Sequence, residues 1–149
     1  MKNLFGEQVA TEDLLENSSD VAFGEHGQNI SRSSSSAFNI FTLTDTIGGR
    51  NKRKAWMLYR KALASGMVAE EIFYKIFWQV KTMLLASRTK SAEEADMKPF
   101  PYSKAKSFLK NFSTSELQNL SESLVVGYHH ARRGEGEIET FIEKTILSL

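Results

Sequence analysis

The three histidines are the first candidates for chemistry in this sequence, and their spacing argues against a metal site. His129 and His130 are adjacent, so on a helix their side chains point about 100° apart and cannot share one ion unaided. His26 lies far away, in a stretch rich in serine and glycine. Ordinary solvated or core histidines explain all three better than metal ligands do.

Known catalytic motifs do not occur in the chain. The sequence has no GxxxxGK[ST] loop to cradle phosphates, no HExxH and no cysteine. Glu135, Glu137 and Glu139 flank a turn and a helix start, where they are better explained as stabilising the helix dipole than as acid–base pairs. We therefore predict a protein that is not an enzyme and has no catalytic residue, metal, cofactor or small-molecule substrate.

Two basic clusters could contact nucleic acid or an acidic partner. Lys52, Arg53 and Lys54 occupy a predicted helix N-terminus, where the helix dipole disfavours cations. Cations at this unfavourable position suggest an anionic partner, although water alone could also screen these charges. Arg132 and Arg133 fall at a helix C-terminus, where cations are favoured in any case.

The helix predicted at 68–87 has two apolar sides. Its broad side carries eight residues at helical spacing: Ala69, Ile72, Phe73, Ile76, Phe77, Val80, Met83 and Leu84. A narrower stripe on the far side carries Tyr74, Trp78 and Leu85, with Lys81 at its rim. This second stripe is covered either by another part of the chain, such as residues 1–16, or by another protein.

The remaining pattern predicts an all-α fold, an antiparallel bundle of five or six helices. Further helices are expected at 38–47, 52–65, 102–111 and 137–148. The clearest local signal is the capping box from Ser113 to Glu116, which opens another helix that closes near Gly134. We divide the chain into a helical domain at 38–149 and a flexible, Ser- and Gly-rich extension at 1–37, compatible with a short helix at 8–16.

Charge is unevenly distributed along the chain. Residues 1–49 contain two basic and seven acidic residues, whereas residues 50–149 contain seventeen basic and eleven acidic ones. A mildly basic helical part is compatible with nucleic acid nearby. No apolar run has the length of a signal peptide or membrane span, so we expect a cytoplasmic protein without membrane contact.

Four stretches of residues 38–149 resemble the C-terminal collar domain of the bacterial DNA polymerase III delta subunit, a clamp-loader component. NIFTLTDTIGGR at 39–50 is similar to the family's opening helix, and KAWMLYRKALASG at 54–66 to its second. IFWQVKTMLLA at 76–86 is similar to the third helix, where an aromatic-Gln pair precedes a basic residue and leucines. KPFPY at 98–102 resembles the turn before the fourth helix, and the order and spacing of the four stretches also agree.

The resemblance implies a non-catalytic module that joins clamp-loader subunits into a collar and so supports loading of the sliding clamp on DNA. Its partners would be other loader subunits, contacted through Tyr74, Trp78, Lys81 and Leu85, with DNA contacted indirectly or weakly. The N-terminal domains of a full-length delta subunit have no counterpart in residues 1–37, so clamp binding and opening are not carried over. The alternative is a free-standing helical nucleic-acid-binding protein that uses the two basic clusters.

Overall fold

The computed structural model describes residues 37–149, which form six α-helices and one 3₁₀ turn and contain no strand. The helices are α1 (Ile40–Gly48), α2 (Lys52–Ala64), α3 (Ala69–Arg88), α4 (Pro99–Phe108), α5 (Thr114–Arg132) and α6 (Ile138–Leu147), with the 3₁₀ turn Leu109–Asn111 before α5. The predicted all-α class is confirmed. The helix expected at 8–16 and the flexible extension lie outside the described residues, apart from residue 37. No helix within 37–149 is long and apolar enough to cross a membrane.

Side-chain caps fix where three of the helices begin. Asn39 accepts a hydrogen bond from the Phe41 amide at 3.0 Å, so α1 starts two residues later than predicted. Helix α2 is capped by Asn51, whose side chain accepts a hydrogen bond from the Lys54 amide at 3.1 Å. The capping box of α5 is confirmed, with both reciprocal hydrogen bonds between Ser113 and Glu116 present.

Helix α4 begins three residues earlier than the sequence pattern indicated. We expected it to start at Tyr102, but Pro99 is the first helical residue and Pro101 also lies in the first turn. Amides in this turn have no intrahelical acceptor, so neither proline removes a hydrogen bond. Lys98 before Pro99 is extended, with ψ 147°, as the residue before a proline prefers.

Helix α3 is the centre of the fold and packs against α1, α4, α5 and α6. Its broad apolar side is turned to the core as predicted, since six of its eight residues are buried and Phe77 and Leu84 are partly buried. Gln79 and Thr82 are also buried, each 6% exposed, although the sequence pattern placed them at the edge of the apolar sides. The polar segment 89–98 contributes Ala92 and Ala95 to the core beside the C-terminal half of α3.

The junction after α1 combines a close approach at Gly48 with a left-handed backbone at Arg50. A Cβ on Gly48 would lie 2.5 Å from the Phe108 ring, so Gly48 permits close packing of α1 on α4. Arg50, rather than a glycine, takes the left-handed conformation with φ +55°. Its guanidinium donates to the Asn111 carbonyl and the Glu116 carboxylate, each at 2.8 Å, and lies 4.9 Å from the Phe112 ring centroid. These contacts hold the strained backbone in place and join α1 to the start of α5.

Glu116 should make stability depend on pH under acidic conditions. Hydrogen bonds from Arg50 and then Ser113 lower the pKa of its carboxyl from 4.5 to about 2. The ionised form therefore stabilises the fold above pH 4.5, and this contribution is lost as the pH falls from 4.5 to about 2. In Glu116→Gln, which keeps the capping box, the melting temperature should vary less between these pH values than in the unaltered chain. Parallel pH profiles for the two proteins would contradict this prediction.

Candidate protein interface

The second apolar stripe of α3 is not enclosed by the helices of residues 37–149. Tyr74 is 53% exposed, Trp78 46% and Leu85 36%, while the neighbouring Lys81 is also exposed. These four residues, which we call the Trp78 stripe, lie on one side of α3 because they are spaced by three or four residues. Large exposed apolar side chains in such a row are typical of a surface that contacts another protein.

A groove of about 420 Å³ lies on one side of Trp78, where α1, α3 and α4 meet. Three exposed aromatic side chains stand along it: Phe41 from α1, Trp78 from α3 and Phe100 from α4. We call this the α1–α4 groove. Its mostly apolar wall is suited to apolar side chains of a partner rather than to a charged metabolite.

Another groove, of about 380 Å³, lies between α3 and the segment that precedes α4. Lys81 and Leu85 line it from α3, and Met97 lines it from the segment. Trp78 lines both grooves, together with Thr82 and Pro101. A partner that covers the Trp78 stripe therefore has access to two adjoining grooves.

Two buried polar side chains give the α1–α4 groove hydrogen-bonding capacity. Gln79 and Thr82 line it, and neither side chain makes a hydrogen bond to any residue within 37–149. Their polar atoms keep some exposure, because no buried side-chain nitrogen or oxygen in this region lacks a partner. Full coverage of the groove would remove these groups from water, so a partner must supply hydrogen bonds to them.

Charged groups are arranged around the aromatic residues of this groove. Lys104 of α4 forms an ion pair with Asp45 of α1 at 2.7 Å, and its ammonium lies 5.7 Å from the Phe100 ring centroid. Lys75 lies 5.9 Å from the Phe41 ring centroid. Both distances allow weak cation–π attraction, which holds the exposed rings in defined positions.

Tyr74, at the N-terminal end of the Trp78 stripe, is anchored to α5. Its hydroxyl is hydrogen-bonded to the Tyr128 hydroxyl at 2.7 Å, and this bond is the main reason the pKa of Tyr128 is raised. The Tyr128 ring stacks on the buried Phe73 ring with 4.8 Å between centroids. The surface tyrosine is thereby connected to the core, which reduces the rotamer entropy it would lose on binding.

Comparison with known proteins identifies the family. A family model described as DNA polymerase III delta subunit, C-terminal domain, matches residues 37–149. The chain belongs to this family. No curated protein and no solved structure matches it. The predicted family is therefore confirmed, and the delta C-terminal domain points to the role of a clamp-loader subunit, a non-catalytic one that acts with other subunits.

In this delta C-terminal domain, the two predicted basic clusters have different surroundings. Arg132 is paired with Glu70 at 3.2 Å and Arg133 with Glu135 at 2.6 Å. Lys52, Arg53 and Lys54 are exposed and have no carboxylate of residues 37–149 within 4.0 Å. The two clusters lie at the start of α2 and at the end of α5, as predicted from the sequence, and these two helices are not among the closely packed helix pairs. Whether either cluster contacts nucleic acid stays a prediction.

The histidines of the delta C-terminal domain have ordinary surroundings. His130 contacts the carboxylate of Glu135, and His129 lies edge-on to the Tyr128 ring. The Arg133 guanidinium is the main cause of the lowered pKa of the Glu135 carboxyl. Within residues 37–149, no group of three potential metal-binding side chains comes together.

Three residues that line the α1–α4 groove were not identified from the sequence as candidates for partner contact. Phe41 lies in the helix predicted at 38–47, but the core side of α1 is Ile40, Leu43, Thr44 and Ile47, and Phe41 is 52% exposed. Phe100, 75% exposed between two prolines, is not part of a periodic pattern. Gln79 belongs to neither predicted apolar side of α3, and only the aromatic-Gln pair of the family resemblance points to it.

Proposed function

We propose that the chain is an assembly domain of a DNA polymerase III clamp loader and that the Trp78 stripe seats a neighbouring subunit. In this role it catalyses no step itself. It holds subunits in a helical collar and thereby supports loading of the sliding clamp on DNA during replication. Contact of the loader with DNA would come mainly through its other parts.

The observation that carries this proposal is the exposure of Trp78 on a helix that is otherwise the centre of the core. Tryptophan and tyrosine are enriched among residues that dominate binding energy, because a rigid ring removes much apolar area from water. Trp78 also lines two adjoining grooves, so a partner that binds there can contact the indole through side chains in both grooves. This arrangement favours a specific contact over a loose apolar patch.

The polar groups at the surface support a partner of defined chemistry. Gln79 and Thr82 would pair with hydrogen-bonding groups of the partner, since covering them without partners costs about 1–3 kcal/mol each. Lys81 would lie at the rim of the contact, where an acidic group of the partner adds steering more than affinity. The occupant we infer is therefore an apolar segment with interspersed polar groups, contributed by another loader subunit.

Reconstitution tests the proposal directly. The chain is mixed with the purified ATPase-type loader subunits of the same source, and complex formation is measured on a sizing column and by analytical ultracentrifugation. We expect a stoichiometric complex. Trp78→Asp should weaken it by at least about 30-fold, because a buried hot spot contributes 2 kcal/mol or more.

Met57→Asp is the matched control for this experiment. Met57 is also an exposed apolar residue of a helix, 57% accessible, but it lies on α2 and lines neither groove. The Met57→Asp variant should leave the complex intact. Both variants should keep the helical circular dichroism spectrum of the unaltered chain. Equal loss with both variants, or an unaffected complex with Trp78→Asp, would overturn the assignment of the stripe. The alternative of a free-standing nucleic-acid-binding protein stays a prediction, and the family match favours the subunit role.

A further inference from the structure

The outer side of α2 has two rows of basic residues, with the exposed Met57 between them. This helix contains five cations and no acidic residue. All five cations are exposed: Lys52, Arg53, Lys54, Arg60 and Lys61. Helical spacing places Arg53, Lys54, Arg60 and Lys61 opposite the buried residues of α2, while Lys52 leans towards the end of α6, where its ammonium lies 3.5 Å from the Leu147 carbonyl. We call the four outward residues the α2 basic face.

Basic side chains at several other places in the structure are locally neutralised. Arg50, Lys104, Arg132 and Arg133 each form an ion pair with a carboxylate. No member of the α2 basic face has a carboxylate of residues 37–149 within 4.0 Å. Arg53 and Lys54 also lie in the first turn of α2, where the dipole disfavours cations. Their arrangement lowers the stability of the helix, and a bound polyanion would offset that effect.

The shape of this surface is suited to a phosphate backbone. Arg53 and Arg60 form one row and Lys54 and Lys61 another, each pair about 10 Å apart along the helix. No residue of α2 lines the α1–α4 groove or the groove beside Lys81 and Leu85. An acidic peptide would find no groove here for its apolar side chains, whereas phosphates need only spaced cations.

The one tryptophan of α2 favours contact with duplex backbone over single strands. The Trp56 indole donates to the Glu143 carboxylate of α6 at 2.6 Å, which ties the ring to α6, and the residue is 36% exposed. Single-strand binding proteins stack bases on freely exposed aromatic rings, and Trp56 is held against α6 instead. We propose that the α2 basic face binds the phosphate backbone of duplex DNA without sequence preference, in addition to the subunit contacts of the Trp78 stripe.

Binding of the full chain to a fluorescein-labelled 30-base-pair duplex, followed by anisotropy between 50 and 200 mM salt, tests this proposal. Four phosphate contacts predict a slope of log affinity against log salt of about −3 to −4, so affinity should fall on the order of 100-fold over this range. The triple variant Arg53→Gln, Lys54→Gln, Lys61→Gln should reduce the slope by about two to three units. A single strand of equal length should bind no more tightly than the duplex.

The matched control removes the same charges elsewhere: Arg88→Gln, Lys90→Gln, Lys110→Gln. These three residues are exposed, lie outside α2 and have the same composition of one arginine and two lysines. The control should keep the salt slope of the unaltered chain, and neither variant should melt at a lower temperature. Equal losses in both variants would mean that net charge alone attracts DNA, and no binding at 50 mM salt would also overturn the proposal. If the α2 variant loses loader assembly and leaves DNA binding unchanged, the face contacts an acidic protein and the DNA assignment is wrong.

Discussion

Replacing Phe73 by alanine should lower the free energy of unfolding by about 3–5 kcal/mol, the range for a buried phenylalanine truncated to alanine. Phe73 is 3% exposed, and its ring contacts three other rings. It stacks on Tyr128 and Phe77, with centroid distances of 4.8 and 6.0 Å, and meets Tyr74 edge-on at 5.7 Å. The variant loses both the burial of this ring and the aromatic contacts between α3 and α5.

Phe100→Ala is the control for this stability measurement. It removes the same atoms from a ring that is 75% exposed, so we expect a change within about 0.5 kcal/mol. Urea unfolding followed by circular dichroism compares the two variants, with the unfolding slope checked for two-state behaviour. A loss below about 1 kcal/mol for Phe73→Ala would mean that the core refills the space and that the aromatic cluster does not secure α5 to α3.

The contrast between Phe73 and Tyr74 explains why much of the fold could be predicted from the sequence. Apolar residues spaced by three and four positions identify the core side of a helix, because burial is decided mainly by helix geometry and polarity. Phe73 and its neighbours on α3 follow this rule. The caps at Asn51 and Ser113 are local in another way, because they depend on contacts within four residues. These features are local, and a single sequence contains them.

The grooves could not be predicted in the same way, because they form between helices that are distant in sequence. Phe41 and Phe100 meet beside Trp78 only after α1 and α4 pack against α3. The positive φ of Arg50 likewise depends on the Asn111 carbonyl and the Glu116 carboxylate, sixty or more positions away. The sequence pattern predicted the second stripe on α3, whereas the shape around it required the tertiary structure.

The charged residues also divide into features that the sequence shows and features that require the tertiary structure. The sequence shows that α2 contains five cations and no acid, and its helical period places four of them on one side. It does not show that Glu70, sixty-two positions before Arg132, lies beside it. Only the ion pairs distinguish the partly neutralised end of α5 from the α2 basic face.

Gly127→Ala should destabilise the protein, although alanine is the better helix former. Gly127 lies inside α5, where glycine is about 1 kcal/mol less favourable than alanine. A Cβ at this position would lie 2.0 Å from the Phe141 ring of α6, far inside van der Waals contact. The ring must shift, and overpacking of this kind costs typically 1–3 kcal/mol. We therefore expect a net loss of up to about 2 kcal/mol in urea unfolding.

A second substitution determines whether the ring is the cause. In a Phe141→Ala background the obstacle is absent, so adding Gly127→Ala should raise stability by up to about 1 kcal/mol, which reverses the sign of the effect. Gly136→Ala, with open space around its Cβ, should show no comparable dependence on Phe141. If Gly127→Ala destabilises both backgrounds equally, the close approach of α5 and α6 at Gly127 is not what requires glycine. The packing of Phe141 onto α5 would then be looser than the structure indicates.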